Sequence, residues 1–179
     1  SCGTCSHSPC TLGGPLARTD VDVALLGEGS EATLYGLNLV FGDRVADQHT
    51  RVDHAVPHGT SRQLYKSVLD GRAVGVFSGK VLVRPDAQQT DAKQAQHNLL
   101  LSEGATAHTK PELEIFADDV KCAHGATVGR LDDDRLFYLR SRGLPEREAR
   151  DLLLRAFARD VTDHLQIEAV RARLDRFMT

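Results

Sequence analysis

The chain has no tryptophan, three tyrosines and one methionine among its 179 residues. An extended sugar platform, which stacks rings on aromatic faces, has little to be built from. No stretch approaches the roughly 18 uninterrupted apolar residues that span a bilayer, and Ser1 to Pro15 lacks the charged start and apolar centre of a signal peptide. We therefore expect a cytoplasmic protein with no membrane partner. An excess of basic charge is missing too: 22 Lys and Arg face 25 Asp and Glu, a formal net charge of -3, with both signs well mixed. Nothing in that balance draws nucleic acid. No G-x-x-x-x-G-K-[ST] sequence occurs, so the chain carries no P-loop of its own. The initiating Met is absent and strand-like patterning begins almost at once, which leads us to expect a piece of a longer polypeptide.

Four cysteines are present, Cys2, Cys5, Cys10 and Cys122. Three crowd a segment too short to hold a disulfide framework across a fold, which fits a reducing compartment. Cys2, Cys5, His7 and Cys10 have metal-ligand types at metal-like spacing, yet nothing nearby would orient them. Disorder or incidental binding is the preferred reading of that tail.

Two textures meet near Leu131. Before it, short runs suited to strands recur: Val21 to Leu26, Thr33 to Val40, His49 to Val56, Gln63 to Leu69, Ala73 to Arg84, Asn98 to Leu101, Glu112 to Phe116 and Val120 to Val128. Turn signals separate them, among them Gly27-Glu28-Gly29, Asp70-Gly71, Pro85-Asp86 and Asp118-Asp119. An all-β sandwich and a parallel solenoid both satisfy this pattern. The lack of an Asn-Gly hairpin signal favours the solenoid, while the lack of a strict hexapeptide repeat leaves the two close. After Leu131 the pattern turns helical. Asp132, Asp133 and Asp134 offer capping oxygens to a short helix carrying Leu136, Phe137 and Leu139, which Gly143 would end. Pro145 opens a second helix with Ala149, Leu152, Leu153, Ala156, Phe157 and Val161 on one face. A third helix would align Ile167, Val170, Leu174 and Phe177. Helices this short need a surface to dock on, either the β unit or another protein.

The most informative chemistry is the run VKCAHGATVG, Val120 to Gly129. On a strand, Cys122 and His124 share one side of an apolar surface. Two such donors cannot close a four-donor site, and residues two apart lie side by side, a poor geometry for a base activating a nucleophile. By spacing alone, packing is the stronger reading. The remaining candidates are weaker. His49, His54 and His58 fall on opposite strand faces, with Pro57 breaking the run. Gly27-Glu28-Gly29 has no helix N-terminus to receive a phosphate. Glu112 and Glu114 read as solvated surface charge.

Longer stretches carry a resemblance. HTRVDHAVPHGTSRQLYKSVLDGRAVGVFSGKVLV, PDAQQTDAKQAQHNLLLSEGA, TKPELEIFADDVKCAHGATVG and LFYLRSRGLPEREARDLL together resemble the SUF-system iron-sulfur cluster assembly scaffold family, SufB/SufD, in its C-terminal portion. The CAHGAT form of Cys122 to Thr127 favours the SufD branch. The resemblance implies a mainly β fold, a right-handed parallel β-helix over residues 13–131 followed by a small helical domain over residues 132–179; residues 1–12 depart from it and read as a disordered tail. It implies a scaffold rather than an enzyme, pairing with a SufB-like paralogue through the β-helix and with a SufC-like ATPase through the C-terminal helices. A nascent iron-sulfur cluster would then be shared transiently near His124 and Cys122, with ATP handled by the partner, no permanent cofactor, and self-pairing into a homodimer where the coil is truncated. Two rival classes remain. A β-solenoid enzyme acting on polysaccharide predicts lyase or hydrolase activity. A purely structural adaptor predicts that substituting Cys122 and His124 changes nothing.

Overall fold

Side-chain alternation over runs of uniform length builds the molecule. In the computed structural model, which describes residues 3–164, eight strands are each ten residues long: β3 (Leu16–Leu25), β4 (Glu31–Val40), β5 (Val45–His54), β6 (Thr60–Leu69), β7 (Val74–Val83), β8 (Asp91–Leu100), β9 (Thr106–Ile115) and β10 (Lys121–Arg130). Two short strands precede them, β1 (Thr4–His7) and β2 (Cys10–Thr11), and two helices follow, α1 (Asp133–Ser141) and α2 (Glu146–Thr162). Even-numbered long strands stack into one sheet in the order β4-β6-β8-β10, with β1 and β2 both on β4, and odd-numbered strands form the other, β3-β5-β7-β9. Every pairing between these strands is parallel. The chain alternates between sheets, so it winds as a solenoid of about four turns followed by two helices. That resolves the choice the strand pattern left open between sandwich and solenoid.

Inside the coil the sheets face each other across a mixed interior. Leu25, Ala32, Leu34, Val52, Tyr65 and Phe77 form one apolar cluster, and Val81, Val83, Ala87, Ala92 and Ala117 another. Amides and hydroxyls share the interior with them. Asn38 Nδ2 donates to Gln48 Oε1 at 2.9 Å, Thr50 Oγ1 donates to Gln63 Oε1 at 2.9 Å, and Gln96 Nε2 donates to Asn98 Oδ1 at 2.9 Å. Pairing of this kind offsets the cost of burying polar groups, about 1–3 kcal/mol for one left unpaired. Gly36 illustrates the fit: a Cβ there would meet the Tyr65 ring at 2.2 Å, so the missing side chain makes room for the aromatic one.

The turns repeat as regularly as the strands. Gly29, His58 and Gln89 occupy equivalent corners, all at positive φ of 68°, 62° and 58°. Each passes its backbone N–H to the next turn: Gly29 to Pro57 O, His58 to Gln88 O and Gln89 to Asp119 O. For residues with a Cβ this conformation costs on the order of 1–2 kcal/mol, which the stacked hydrogen bonds offset.

The structure extends the sequence reading toward the N-terminal ends of most strands. It also shows the described part of the expected tail as strands, because Thr4 to His7 finds the free edge of β4 and satisfies its backbone there. The first two expected helices form. Asp132 caps α1, accepting from Asp134 N and Arg135 N at 3.0 and 3.1 Å, and Gly143 follows it at φ 94°. Helix α2 starts after Pro145 and lays Ala158 and Val161 on Leu37, Leu39 and Val68, the outer face of the first sheet. Lys66 is the polar anchor of that contact. Its Nζ donates to Phe157 O at 2.7 Å and Asp160 Oδ2 at 2.6 Å. The third expected helix lies outside the described residues. Among them, no helix is long and apolar enough to cross a membrane.

Candidate functional site

Strand β10 ends the first sheet, with β8 as its only strand partner among the described residues. Its register places Cys122 beside Ala92 and His124 beside Gln94. One step further in, Ala92 is beside Ser61 and Gln94 beside Gln63, and all four of these residues are buried. Cys122 and His124 therefore continue two interior columns of the coil. The alternation reading is correct about their shared face, and the face is the inside of the solenoid. On the last turn that inside has no further turn of described residues above it, so His124 is exposed and Cys122 half-buried. Val128 and Ile115, at interior positions of the same turn, are 51% and 40% exposed. Apolar surface of this kind is what an end-on partner would cover.

The chemistry of the pair is limited by its setting. Cys122 packs against the apolar cluster of Val81, Val83 and Ala92. Burial pushes its thiol up, a backbone hydrogen bond with Ala92 pulls the other way, and the Asp91 carboxylate adds to the rise. A thiol held above its ordinary value is protonated at neutral pH and weakly nucleophilic. Successive same-face residues on a strand stand about 6.6 Å apart at Cα, so the imidazole does not lie in line to deprotonate it. Among the described residues, no group of three or more His, Cys, Asp and Glu side chains is placed to hold a metal. The pair offers one soft and one borderline donor facing outward, a set suited to a cargo whose other donors come from elsewhere.

The other candidates separate. Cys5 and His7 occupy the same two columns as Cys122 and His124, beside Ala32 and Leu34, at the far end of the sheet. Four strand spacings, about 19 Å, keep the two pairs apart. Cys10 aligns with Leu37 on the outer face and packs under α2, and burial pushes its thiol up. The tail donors are thus divided between faces, and Cys2 lies outside the described residues. His54 is fully buried, with Nε2 2.9 Å from Ser61 Oγ, whereas His49 is an outer-face residue 2.8 Å from Asp47 Oδ1. Glu112 and Glu114 pair with Lys110 and Lys80 at the surface. Gly29 forms a corner, as a turn reading requires.

Sequence reasoning missed what lies beneath the pair. Gln63 and Gln94 form an amide column leading to His124, with Gln94 Nε2 donating to Gln63 Oε1 at 3.4 Å. The available signal was the spacing: the two glutamines are 31 residues apart, close to the 30 that separate His97 from its partner Thr127.

The fold and this end face define a parallel β-solenoid protein that leaves a thiol and an imidazole at the end of its last described turn. Comparison with known proteins gives its family. The family model described as SUF system FeS cluster assembly, SufBD core domain, matches residues 2–157, most of the chain, and the chain belongs to that family. It is 44% identical over 163 residues to a protein of Synechocystis described as an iron-sulfur cluster assembly SufBD family protein, covering 91% of this chain and 36% of that one. It is 40% identical over 169 residues to the iron-sulfur cluster assembly protein SufD of Escherichia coli, covering 94% and 40%. With the chloroplastic protein ABCI7 of Arabidopsis thaliana it shares 38% over 164 residues, covering 90% and 34%. The chain spans less than half the length of these relatives.

Proposed function

We propose that this chain is part of a SufD-like scaffold subunit for iron-sulfur cluster assembly, with His124 and Cys122 forming half of a shared, transient site. The observation that carries the reading is the end face of the coil: a thiol and an imidazole on interior columns, left facing outward beside exposed Val128 and Ile115. The nascent cluster is cargo. Clusters ordinarily take four protein donors, so two donors fit only if a second chain supplies the rest. A SufB-like paralogue fits that role, meeting the end face and the free edge of β10. The same edge and end face would serve a homodimer in its absence. A SufC-like ATPase would dock on the helices, where Phe137 and Tyr138 are exposed on α1, and would bring the nucleotide. No permanent cofactor, no catalytic residue and a cytoplasmic location go with this reading. The polysaccharide alternative would have to stack sugars without Trp and with three Tyr, which argues against an extended platform.

The test is reconstitution. The polypeptide containing this chain is co-expressed with the paralogue and the ATPase, and the complex is sized, then scored for cluster formation by its visible absorption. A three-component complex that loses cluster formation on His124→Ala, while keeping its subunits, supports the proposal. Absence of the complex, or full cluster formation with His124→Ala and Cys122→Ala together, refutes it; the second result favours the structural adaptor.

A further inference from the structure

Gln94 sits directly behind His124. Its Cα is the register partner of His124 on one side and of Gln63 on the other, and its side chain lies on the same interior face, with the residue only 3% exposed. One half of its amide is committed: Nε2 donates to Gln63 Oε1, which also accepts from Thr50 Oγ1 at 2.9 Å. With Gln63 Oε1 as the shared acceptor, Gln94 turns its donor half toward Gln63 and leaves its carbonyl half over. Gly79 closes the space beside Nε2, where a Cβ would come within 2.4 Å. The other half is idle. Gln94 Oε1 is buried and has no hydrogen-bond partner, as is the case for Asn38 Oδ1 and Gln96 Oε1; of these three residues, Gln94 is the register partner of His124.

Among the described residues, the titratable ring whose register position lies directly beside that of Gln94 on this face, about 4.8 Å away, is His124. We propose that Gln94 is a positioning residue for His124: its carbonyl oxygen accepts an imidazole N–H, holds the ring in one tautomer, and leaves the second nitrogen facing out of the coil to meet the cargo. Ligating imidazoles are commonly oriented by such an acceptor. The relay from Thr50 through Gln63 and Gln94 would make the outward nitrogen a consequence of the interior packing. This inference rests on the reading of His124 as the cargo-facing residue, and its test is independent of cargo.

Long-range 15N–1H correlation spectra of the chain, with neutral imidazoles and no metal or cluster present, report the tautomer of His124 directly. The wild type is expected to favour one tautomer, and Gln94→Met, which keeps the volume and removes the acceptor, to shift the tautomer ratio by roughly five- to tenfold, the scale of one neutral hydrogen bond. Gln94→Glu keeps an acceptor on the His124 side, while the Gln63 amide turns so that its Nε2, without a partner in the wild type, donates to the second carboxylate oxygen; this variant is expected to restore the wild-type ratio. The amide spectrum and thermal midpoint of each variant show that the coil is intact. An unchanged His124 ratio in folded Gln94→Met overturns the proposal. So does failure of folded Gln94→Glu to restore the ratio. If the ratio shifts as expected while His124→Ala leaves cluster formation in the assembled complex unchanged, Gln94 stands as a positioning residue and the cargo role of His124 falls.

Discussion

Replacing Lys66 with Met should loosen α2 while leaving the coil folded. The ammonium is 5% exposed, donates to Phe157 O and Asp160 Oδ2, and lies 4.6 Å above the centroid of the Phe157 ring. A hydrogen bond from a charged donor contributes about 1.5–3 kcal/mol. The ion pair adds little, about 0–1 kcal/mol, because the Asp160 side chain is 68% exposed. The ring contact adds about 0.5–1 kcal/mol. Against these, Met removes the cost of keeping a charge buried. The expected net loss is about 2 kcal/mol, which for a chain of this size lowers the thermal midpoint by about 4–8 °C. Urea unfolding measures the total, and amide hydrogen exchange localises it: α2 amides should exchange faster while those of β4, β5 and β6 keep their protection. A second sign is available in His97. Burial holds its imidazole below the ordinary value, Lys66 lowers it further and Asp160 raises it, so Lys66→Met should move the His97 titration upward. A stability change under about 0.5 kcal/mol with α2 exchange unaltered would refute the anchor.

Acid sensitivity should begin with His54. Burial lowers its pKa from 6.5 to about 4, so below pH 6.5 the unfolded chain gains a proton that the folded chain refuses. Its contribution is complete above the unfolded value and is lost as pH falls toward 4, by roughly 3 kcal/mol. Urea midpoints between pH 7.5 and 4.5 should show this slope and His54→Gln should flatten it; an equally steep limb in the variant sinks the assignment. Tyr65→Phe should raise stability by about 1 kcal/mol, since the hydroxyl is buried without a partner and burial pushes its pKa up. A fall in the melting temperature of the variant would count against an idle hydroxyl.

The legibility of the strands followed the composition of their inner faces. The run Ala73 to Arg84 matches β7, Val74–Val83, to one residue beyond each end, because Phe77, Val81 and Val83 all point inward and are fully buried. β8 was reduced to Asn98 to Leu101, although it spans Asp91–Leu100. Its interior positions hold Ala92, Gln94, Gln96 and Asn98, which hydrophobic periodicity does not register. Solenoids can carry such residues because neighbouring turns satisfy them, a benefit visible only once the register is known. Cys122 and His124 were found by alternation alone. That their face is the coil interior, and that an idle amide oxygen lies behind them, depends on contacts between residues about thirty positions apart, which no local window contains.

The coil is also a ruler. Each strand added to the first sheet advances its end by one strand spacing, about 4.8 Å, while a column such as Ala32, Ser61, Ala92 and Cys122 keeps its line. Whole turns can thus be gained or lost without changing which side chains point inward. A single residue deleted early in β10 has the opposite effect, exchanging the two faces and sending Ala123 and Gly125 to the places now held by the thiol and the imidazole. Reach and chemistry are inherited separately in this architecture: the number of turns sets how far the end face extends, and the parity of one strand decides what it carries.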